Sequence, residues 1–199
     1  MKGYATPSSP FARKVRMAQI ETGQEKLIEW QMLTREERAK LVPSINPLGK
    51  VPCVVLDSGE ALYDSPVICA WVDAQDGKHR LIPDSGHERW RVLTMEALGD
   101  GLGEAVVAVA LEQGKAEGER SQALIDRQTG KVKSALAALD RSASGFHDPL
   151  TVGEIAVACA MGYMEYRKVA AGWRENCPAL AAWYNGLASR PSFARTLPA

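Results

Sequence analysis

Two short stretches of the chain carry residue types and spacings suited to binding a small peptide. Val51-Pro52 stands at the start of an apolar run, where the proline cannot donate to a strand ladder. A cis bond at this pair would point backbone groups outward. Asp64-Ser65 follows after a turn and stands before a helical pattern, where the pair would cap the helix. We therefore expect a site here for the backbone and ammonium group of a small peptide.

A third stretch, Ser9-Pro10, places a hydroxyl directly before a proline that suits the first turn of a helix. Serine commonly caps helices, and from the residues alone this is the favoured interpretation of Ser9. The same hydroxyl, close to a helix amino terminus, is also suited to donating a hydrogen bond to an anion. Both roles are open for Ser9.

The elements that must position these residues alternate between strands and helices over residues 1 to about 76. The pattern predicts a strand, a helix, a second strand and a charged, irregular or briefly helical stretch: Lys2 to Ala5, Phe11 to Gly23, Ile28 to Met32 and Thr34 to Lys40. It then predicts a hairpin and a helix: Pro52 to Leu56 with Ala61 to Tyr63, and Pro66 to about Asp76. A small mixed sheet with helices packed on it is expected.

The rest of the chain is predicted to be a linker followed by helices. Residues 78–86 are charged, contain a proline and a glycine, and separate a first domain at 1–77 from a second at 87–199. The second domain is expected to be all-helical, so that the fold class is α/β plus all-α.

Two helices near the end of the chain have recognisable boundaries. Thr151-Val152-Gly153-Glu154 has the pattern of a capping box. The helix that it starts, extending to about Ala171, is almost uncharged over its first ten residues and should run through the middle of the helical domain. A last helix is predicted from Ala179 to Ala188, stopped by Arg190-Pro191.

Composition restricts the classes of partner. The 199 residues carry 24 Lys and Arg against 24 Asp and Glu, so the charge balance favours neither nucleic acid nor an acidic membrane surface. No apolar run is long enough to span a membrane, and the amino terminus lacks a secretory apolar region. The cysteines form neither a C-x-x-C pair nor a metal-ligand spacing, so reduced, buried thiols, no metal and a cytoplasmic location are expected: Cys53, Cys69, Cys159 and Cys177.

Over its whole length the chain resembles a cytosolic-type glutathione S-transferase. The resemblance rests on motifs in the order of that family: Ser9-Pro10-Phe11, Asn46-Pro47-Leu48-Gly49-Lys50-Val51-Pro52, Asp64-Ser65, Thr151-Val152-Gly153-Glu154 and Arg190-Pro191-Ser192-Phe193-Ala194. It implies a thioredoxin-like amino-terminal domain followed by an all-helical domain. Serine at position 9, where other classes have cysteine, makes the chain most similar to serine-type bacterial and zeta-like members.

The resemblance implies that Ser9 is the catalytic residue, with the adjacent Ser8 as the alternative. A free thiol has a pKa of about 8.5, so little of glutathione is thiolate at neutral pH. A hydroxyl that donates to the sulfur would stabilise the thiolate by about 1.5–3 kcal/mol.

The other glutathione contacts are implied residue by residue. Val51 would bind the cysteinyl part through its backbone, held outward by cis-Pro52, and Asp64 and Ser65 would meet the γ-glutamyl group. Lys50 would either pair with the glycyl carboxylate or be solvated. Phe11 would wall the pocket of the second substrate, and Tyr163 and Tyr166 are expected to pack in the helical core.

The implied function is a detoxification-type transferase in which the glutathione thiolate attacks a small electrophile. Glutathione is the co-substrate, no metal is needed, and a two-fold homodimer is expected. Two alternatives stay open. One is a glutathione-dependent cis–trans isomerase of the zeta-like kind, and the other is a non-catalytic glutathione-binding or protein-interaction module.

Overall fold

The computed structural model describes residues 1–75, 77 and 80–198. Its strands within these residues form one four-stranded sheet in the order β2-β1-β3-β4. They are β1 (Lys2–Ala5), β2 (Glu29–Met32), β3 (Cys53–Val55) and β4 (Ala61–Leu62). The first strand runs parallel to β2 and antiparallel to β3, so the mixed sheet is confirmed.

The hairpin of β3 and β4 forms where the sequence predicts it. Gly59 in its turn has φ +91°, a conformation in which a side chain would be strained. Both strands are shorter than predicted, because Pro52 cannot donate to the ladder and pairing ends at Leu62.

The helices of the first part pack on this sheet. They are α1 (Pro10–Glu21), α2 (Arg35–Leu41) and α3 (Ser65–Asp73). The stretch predicted to be irregular or briefly helical is helical, because Thr34 and Glu37 form a reciprocal capping box. The predicted end of the third helix, Asp76, lies outside the described residues, as do Lys78 and His79 of the predicted linker.

The second part is built from helices alone in the residues that the structure describes. They are α4 (Gly86–Gln113), α5 (Gln122–Ser142), α6 (Val152–Tyr166), α7 (Trp173–Asn176), α8 (Pro178–Gly186) and α9 (Pro191–Ala194). The division into two domains at residues 78–86 stays a prediction. Of the predicted linker, Leu81 and Ile82 are buried, and Gly86 belongs to α4.

One predicted helix end was wrong, and one short helix was not predicted. Helix α6 ends at Tyr166 and not near Ala171, because Lys168 and Ala170 adopt positive φ angles of 56° and 59°. The helix predicted from Ala179 to Ala188 stops before Arg190-Pro191, as expected. It is not the last helix, because Pro191 starts the short helix α9, for which proline in the first turn is well suited.

Helix α6 is the centre of the helical part, as its composition predicts. Each of its residues from Val152 to Met164 is buried. Helix α4 approaches it closely at Gly99, where an added Cβ would lie 2.7 Å from Val157 N and 2.8 Å from the Ala156 carbonyl carbon. The two helix backbones therefore touch with no room for a side chain between them.

A buried ionic cluster joins α1 to α4. The Lys14 ammonium, only 1% exposed, lies 3.1 Å from Glu96 Oε1 and 2.6 Å from Asp100 Oδ2. Burial favours the neutral amine, but the negative charges that Cys69, Asp100 and Glu96 can carry outweigh it and raise the pKa of Lys14. Lys14 therefore links the first part of the chain to the helical part.

Residues 190–196, which we call the C-terminal strap, lie across the outer end of α1. Arg190 pairs with Glu21 at 2.9 Å, and Arg195 Nη1 donates to Glu25 Oε1 at 3.0 Å. These ion pairs tie the last residues of the chain to its first helix.

Arg13 of α1 also contacts the C-terminal strap. Its guanidinium is buried, donates from Nη2 to the Phe193 carbonyl at 3.1 Å and from Nε to Thr196 Oγ1 at 3.3 Å, and lies 4.4 Å from the centre of the Phe193 ring. The packing of α1 is therefore complete only with the strap in place.

Among the described residues, no helix combines the length and the apolar character that crossing a membrane requires.

Candidate functional site

A cleft of about 1340 Å³ separates the first part of the chain from helices α4 to α6. One side, which we call the loop wall, is formed by Thr6, Ser8, Ser9, Pro10, Phe11, Arg38, Leu48, Gly49, Lys50 and Val51. The other, the helix wall, is formed by Ala97, Leu98, Gly101, Leu102, Glu104, Ala105, Val107, Ala108, Leu111, Gln128, Gly130, Lys131, Ser134, Ala135, Tyr163 and Arg167.

Ser9 is the N-cap of α1 and lines the cleft at the same time. Its Oγ accepts from the Ala12 N–H at 3.2 Å, and its own N–H donates to the Thr6 carbonyl at 3.1 Å. Because the hydroxyl oxygen acts as an acceptor in the cap, its proton is left for another partner. The first turn of α1 carries no carboxylate, so the partial positive charge of the helix end is not neutralised there.

The loop that carries Lys50 and Val51 is held by Asn46. This side chain is completely buried, donates from Nδ2 to the Lys50 carbonyl at 2.9 Å and accepts from the Leu48 N–H at 3.0 Å. Gly49 permits the turn with φ +62°. The Val51-Pro52 peptide is cis, as the sequence suggests.

The pair Asp64-Ser65 lies at the start of α3, outside the lining of the cleft. Pro52 also lies outside it. Asp64 occupies the N-cap position, as predicted, but its side chain makes no capping bond. Burial, together with the charges of Glu96 and Asp64, raises the pKa of Asp100 against the lowering effect of Lys14. The Asp64 carboxylate is therefore close enough to Asp100 for their charges to interact.

Phe11 lies where the two walls meet. A Cβ added to Gly103 of α4 would lie 3.4 Å from Phe11 Cε1 and 3.7 Å from the Ala160 Cβ. Gly103 therefore leaves the space in which the Phe11 ring packs between α4 and α6. The ring forms part of the cleft surface beside Ser9.

Sequence reasoning missed the polar residues of the helix wall. Tyr163 is buried at 5% exposure, as predicted, but it also lines the cleft and accepts a hydrogen bond from Arg167 Nε at 2.9 Å. Tyr166 is 44% exposed, so the prediction that it packs in the core was wrong. The spacing of four residues between Tyr163 and Arg167 was the available signal, because such residues are neighbours on a helix.

Thiol chemistry by the protein's own cysteines is disfavoured. All four are free and buried, as predicted: Cys53, Cys69, Cys159 and Cys177. Burial raises the pKa of Cys53 to about 11 and that of Cys159 to about 12. Within residues 1–75, 77 and 80–198, no group of three or more His, Cys, Asp or Glu side chains is placed to hold a metal ion.

Comparison with known families identifies both parts of the chain. Residues 8–75 match the amino-terminal domain of glutathione S-transferase, and residues 122–186 match the carboxy-terminal domain. The chain is 33% identical to YibF, an uncharacterised glutathione S-transferase-like protein of Escherichia coli K12, over 100% of this chain and 98% of that protein. The chain belongs to the glutathione S-transferase family.

Solved structures of other members of the family are similar over the whole chain. A glutathione transferase family member from Pseudomonas fluorescens Pf-5, with bound glutathione, is 37% identical with a TM-score of 0.91, covering 100% of this chain and 98% of that one. A second structure from that organism, 37% identical with a TM-score of 0.89 and full coverage of both chains, holds S-(propanoic acid)-glutathione. A glutathione S-transferase from Methylobacillus flagellatus KT with glutathione bound is 32% identical, with a TM-score of 0.91 and coverage of 100% and 99%. The thioredoxin-like sheet followed by a helical domain is thus the fold of this family.

Proposed function

We propose that this glutathione S-transferase binds glutathione along the loop wall and activates its thiol for attack on an electrophile held against the helix wall. One observation carries the proposal. The Ser9 hydroxyl lines the cleft at the amino terminus of α1, with its oxygen used in the cap and its proton available to a thiolate. A thiolate at this point would gain both that hydrogen bond and the favourable field of the helix end.

The remaining glutathione contacts that we propose are those that the family motifs imply. Val51 and Lys50 line the cleft together with Ser9, so the Val51 backbone would meet the cysteinyl part of the tripeptide and the Lys50 ammonium its glycyl part. Asp64 and Ser65, at the start of α3, would bind the γ-glutamyl group, with Asp100 adding a second carboxylate near the ammonium. Glutathione in the Pseudomonas and Methylobacillus relatives supports this ligand for the present chain.

We also propose a separate role for each domain and a dimeric assembly. Residues 1–77 would bind glutathione, residues 87–199 would supply the electrophile pocket, and two chains would form a two-fold homodimer in the cytoplasm. Val67 on α3 and Trp90 on α4 are exposed apolar side chains available to a second copy. Sedimentation equilibrium measures the assembly, and a monomeric mass at working concentrations contradicts the dimer.

The decisive experiment compares Ser9→Ala with Ser8→Ala as the matched variant. We expect calorimetry to show that Ser9→Ala still binds glutathione. Its turnover of a halogenated nitroaromatic should be about tenfold to a hundredfold slower, because one hydrogen bond to a charged sulfur is lost. Ser8→Ala should keep the rate of the unaltered protein. The ultraviolet band of the glutathione thiolate should weaken only in Ser9→Ala.

Each other outcome selects an alternative. Equal rates in both variants move thiolate stabilisation from Ser9 to the backbone, and loss only in Ser8→Ala moves it to Ser8. Conversion of a maleyl-type diacid without net loss of thiol supports the isomerase. If glutathione binds but its thiolate band is the same as in free solution, the non-catalytic module is supported. If calorimetry detects no heat of glutathione binding, the proposal is wrong.

A further inference from the structure

The cleft has a local excess of positive charge. The described residues that line it include four cations and one carboxylate: Arg38, Lys50, Lys131, Arg167 and Glu104. The chain as a whole is balanced, with 24 basic and 24 acidic residues, so this excess does not reflect overall composition. In the described part of the chain none of the four cations has an ion-pair partner, and Glu104 neutralises none of them. The cleft is therefore suited to anions.

The two walls divide these cations between them. Arg38 and Lys50 belong to the loop wall, where the carboxylates of glutathione would lie. Lys131 on α5 and Arg167 directly after α6 belong to the helix wall, on the side proposed for the second substrate. Glutathione bound on the loop wall leaves these two without an anionic partner.

Arg167 is held in place before any ligand arrives. Its Nε donates to the Tyr163 hydroxyl at 2.9 Å, and its guanidinium carbon lies 5.2 Å and 5.5 Å from the ring centres of Tyr163 and Tyr166. The bond to a residue four positions earlier shows that the side chain runs back along α6 toward Ala160, which lies beside Phe11. No hydrogen bond from its two Nη atoms occurs among the described residues, so they remain available to a carboxylate.

From this arrangement we propose that the electrophile is itself an anion, bound by Arg167 and Lys131 through a carboxylate while its reactive carbon lies near Ser9. This inference rests on the proposed transferase function and names the substrate class of the same site. In the displacement reaction, the glutathione sulfur forms a bond to carbon, and a halide leaves with the electrons of the carbon–halogen bond. The thiol proton has already passed to solvent.

The test uses 4-(chloromethyl)benzoate and 4-(chloromethyl)benzamide, which differ mainly in charge. We expect kcat/KM of the unaltered protein to be at least about tenfold higher for the benzoate, the value of one charge-assisted hydrogen bond. Arg167→Gln and Lys131→Gln should reduce this preference, because kcat/KM should fall further for the benzoate than for the benzamide. Lys133→Gln, an exposed lysine on the same helix as Lys131 but outside the cleft lining, should retain it. At saturating glutathione, added salt should slow the benzoate reaction more than the benzamide reaction.

The outcomes separate the two proposals. Equal turnover of both compounds by the unaltered protein overturns the anionic class and leaves the transferase function standing. A preference that survives both substitutions overturns the assignment to Arg167 and Lys131. If Arg167→Gln loses both reactions and Arg167→Lys restores neither, Arg167 acts as a structural residue and the inference is wrong. Absence of both reactions and of glutathione binding overturns the transferase function itself.

Discussion

The two walls of the cleft are constructed from different kinds of structure. The loop wall depends on irregular backbone, in which the Asn46 side chain and the left-handed turn at Gly49 fix the residues that follow. The helix wall consists of side chains that project from regular helices, with α4 and α6 in backbone contact at Gly99. In the first construction, hydrogen bonds and a turn hold backbone groups in place, whereas in the second the helices hold the positions from which side chains project.

This difference predicts different sensitivities. The loop wall should respond to the loss of single hydrogen bonds, and the helix wall to added volume. Lys14 joins the two and should be the most sensitive position of all.

The largest effect is expected where the walls join. Replacing Lys14 with methionine leaves Glu96 and Asp100 buried without their cation, and breaking such a buried pair costs about 3–5 kcal/mol in the free energy of unfolding. Urea denaturation measures the loss. Lys133→Met, at an exposed position, is the control and should change stability by less than about 0.5 kcal/mol. A loss below about 1 kcal/mol in Lys14→Met would contradict the role of the cluster.

The next effect concerns the helix wall. Gly99→Ala places a methyl group against the α6 backbone and should cost about 3 kcal/mol, the upper end for overpacking, because backbone atoms cannot move aside easily. Gly101→Ala on the same helix meets no atom within 4 Å and should stabilise the protein by about 0.5–1 kcal/mol. Thermal unfolding of the two variants gives shifts of opposite sign. Equal shifts would show that the α4–α6 contact is loose.

A substitution that weakens the loop wall should reduce stability less, but it should clearly reduce glutathione binding. Asn46→Ala removes two hydrogen bonds and leaves the Lys50 carbonyl without its partner, which should cost about 2 kcal/mol. Glutathione affinity, measured by calorimetry, should fall with it because the backbone of Val51 loses its support. Asn176→Ala removes one exposed hydrogen bond and should leave both quantities nearly unchanged. Unaltered glutathione affinity in Asn46→Ala would mean that the loop keeps its shape without this side chain.

At neutral pH the smallest effect is expected from the cysteines, whose contribution to stability changes only at alkaline pH. Burial raises the pKa of Cys53 to about 11, whereas an unfolded thiol has a pKa of about 8.5. The folded state therefore holds this proton more tightly, and its contribution to stability is present below about pH 8.5 and is lost as the pH rises toward 11. The pKa of Lys14 is also raised, so its contribution disappears in the same direction at higher pH. Urea midpoints should fall over this range and fall less in Cys53→Ala, while parallel curves would assign the decline elsewhere.

Features with a local signal were predictable from the sequence. Pro10 after Ser9 marked the start of α1, Gly59 marked the hairpin, and Thr151 with Glu154 marked the start of α6. The position of Val51 beside the cleft followed from a family motif, and residues 8–75, which contain this motif, match the amino-terminal domain of the family. Loop-wall residues were found because turns demand particular residue types.

Features that depend on distant parts of the chain were not predictable. The spacing of Tyr163 in α6 and Arg167 just after it predicts that the two are neighbours, but not that α5 brings Lys131 to the same cleft. The early end of α6 at Tyr166 reflects left-handed residues at Lys168 and Ala170, types that rarely adopt this conformation. Sequence periodicity contains no information on such long-range pairings.

The C-terminal strap has a consequence for synthesis on the ribosome. Helix α1, which Ser9 caps, is translated before its ion-pair partners, because Glu21 and Glu25 pair with arginines of residues 190–196. The Arg13 guanidinium likewise gains its hydrogen bond to the Phe193 carbonyl only when these residues have been made. The first part of the chain must therefore stay incompletely packed until translation has passed these residues, so that α1, with Ser9 at its N-cap, completes its packing only after the helical part has been made.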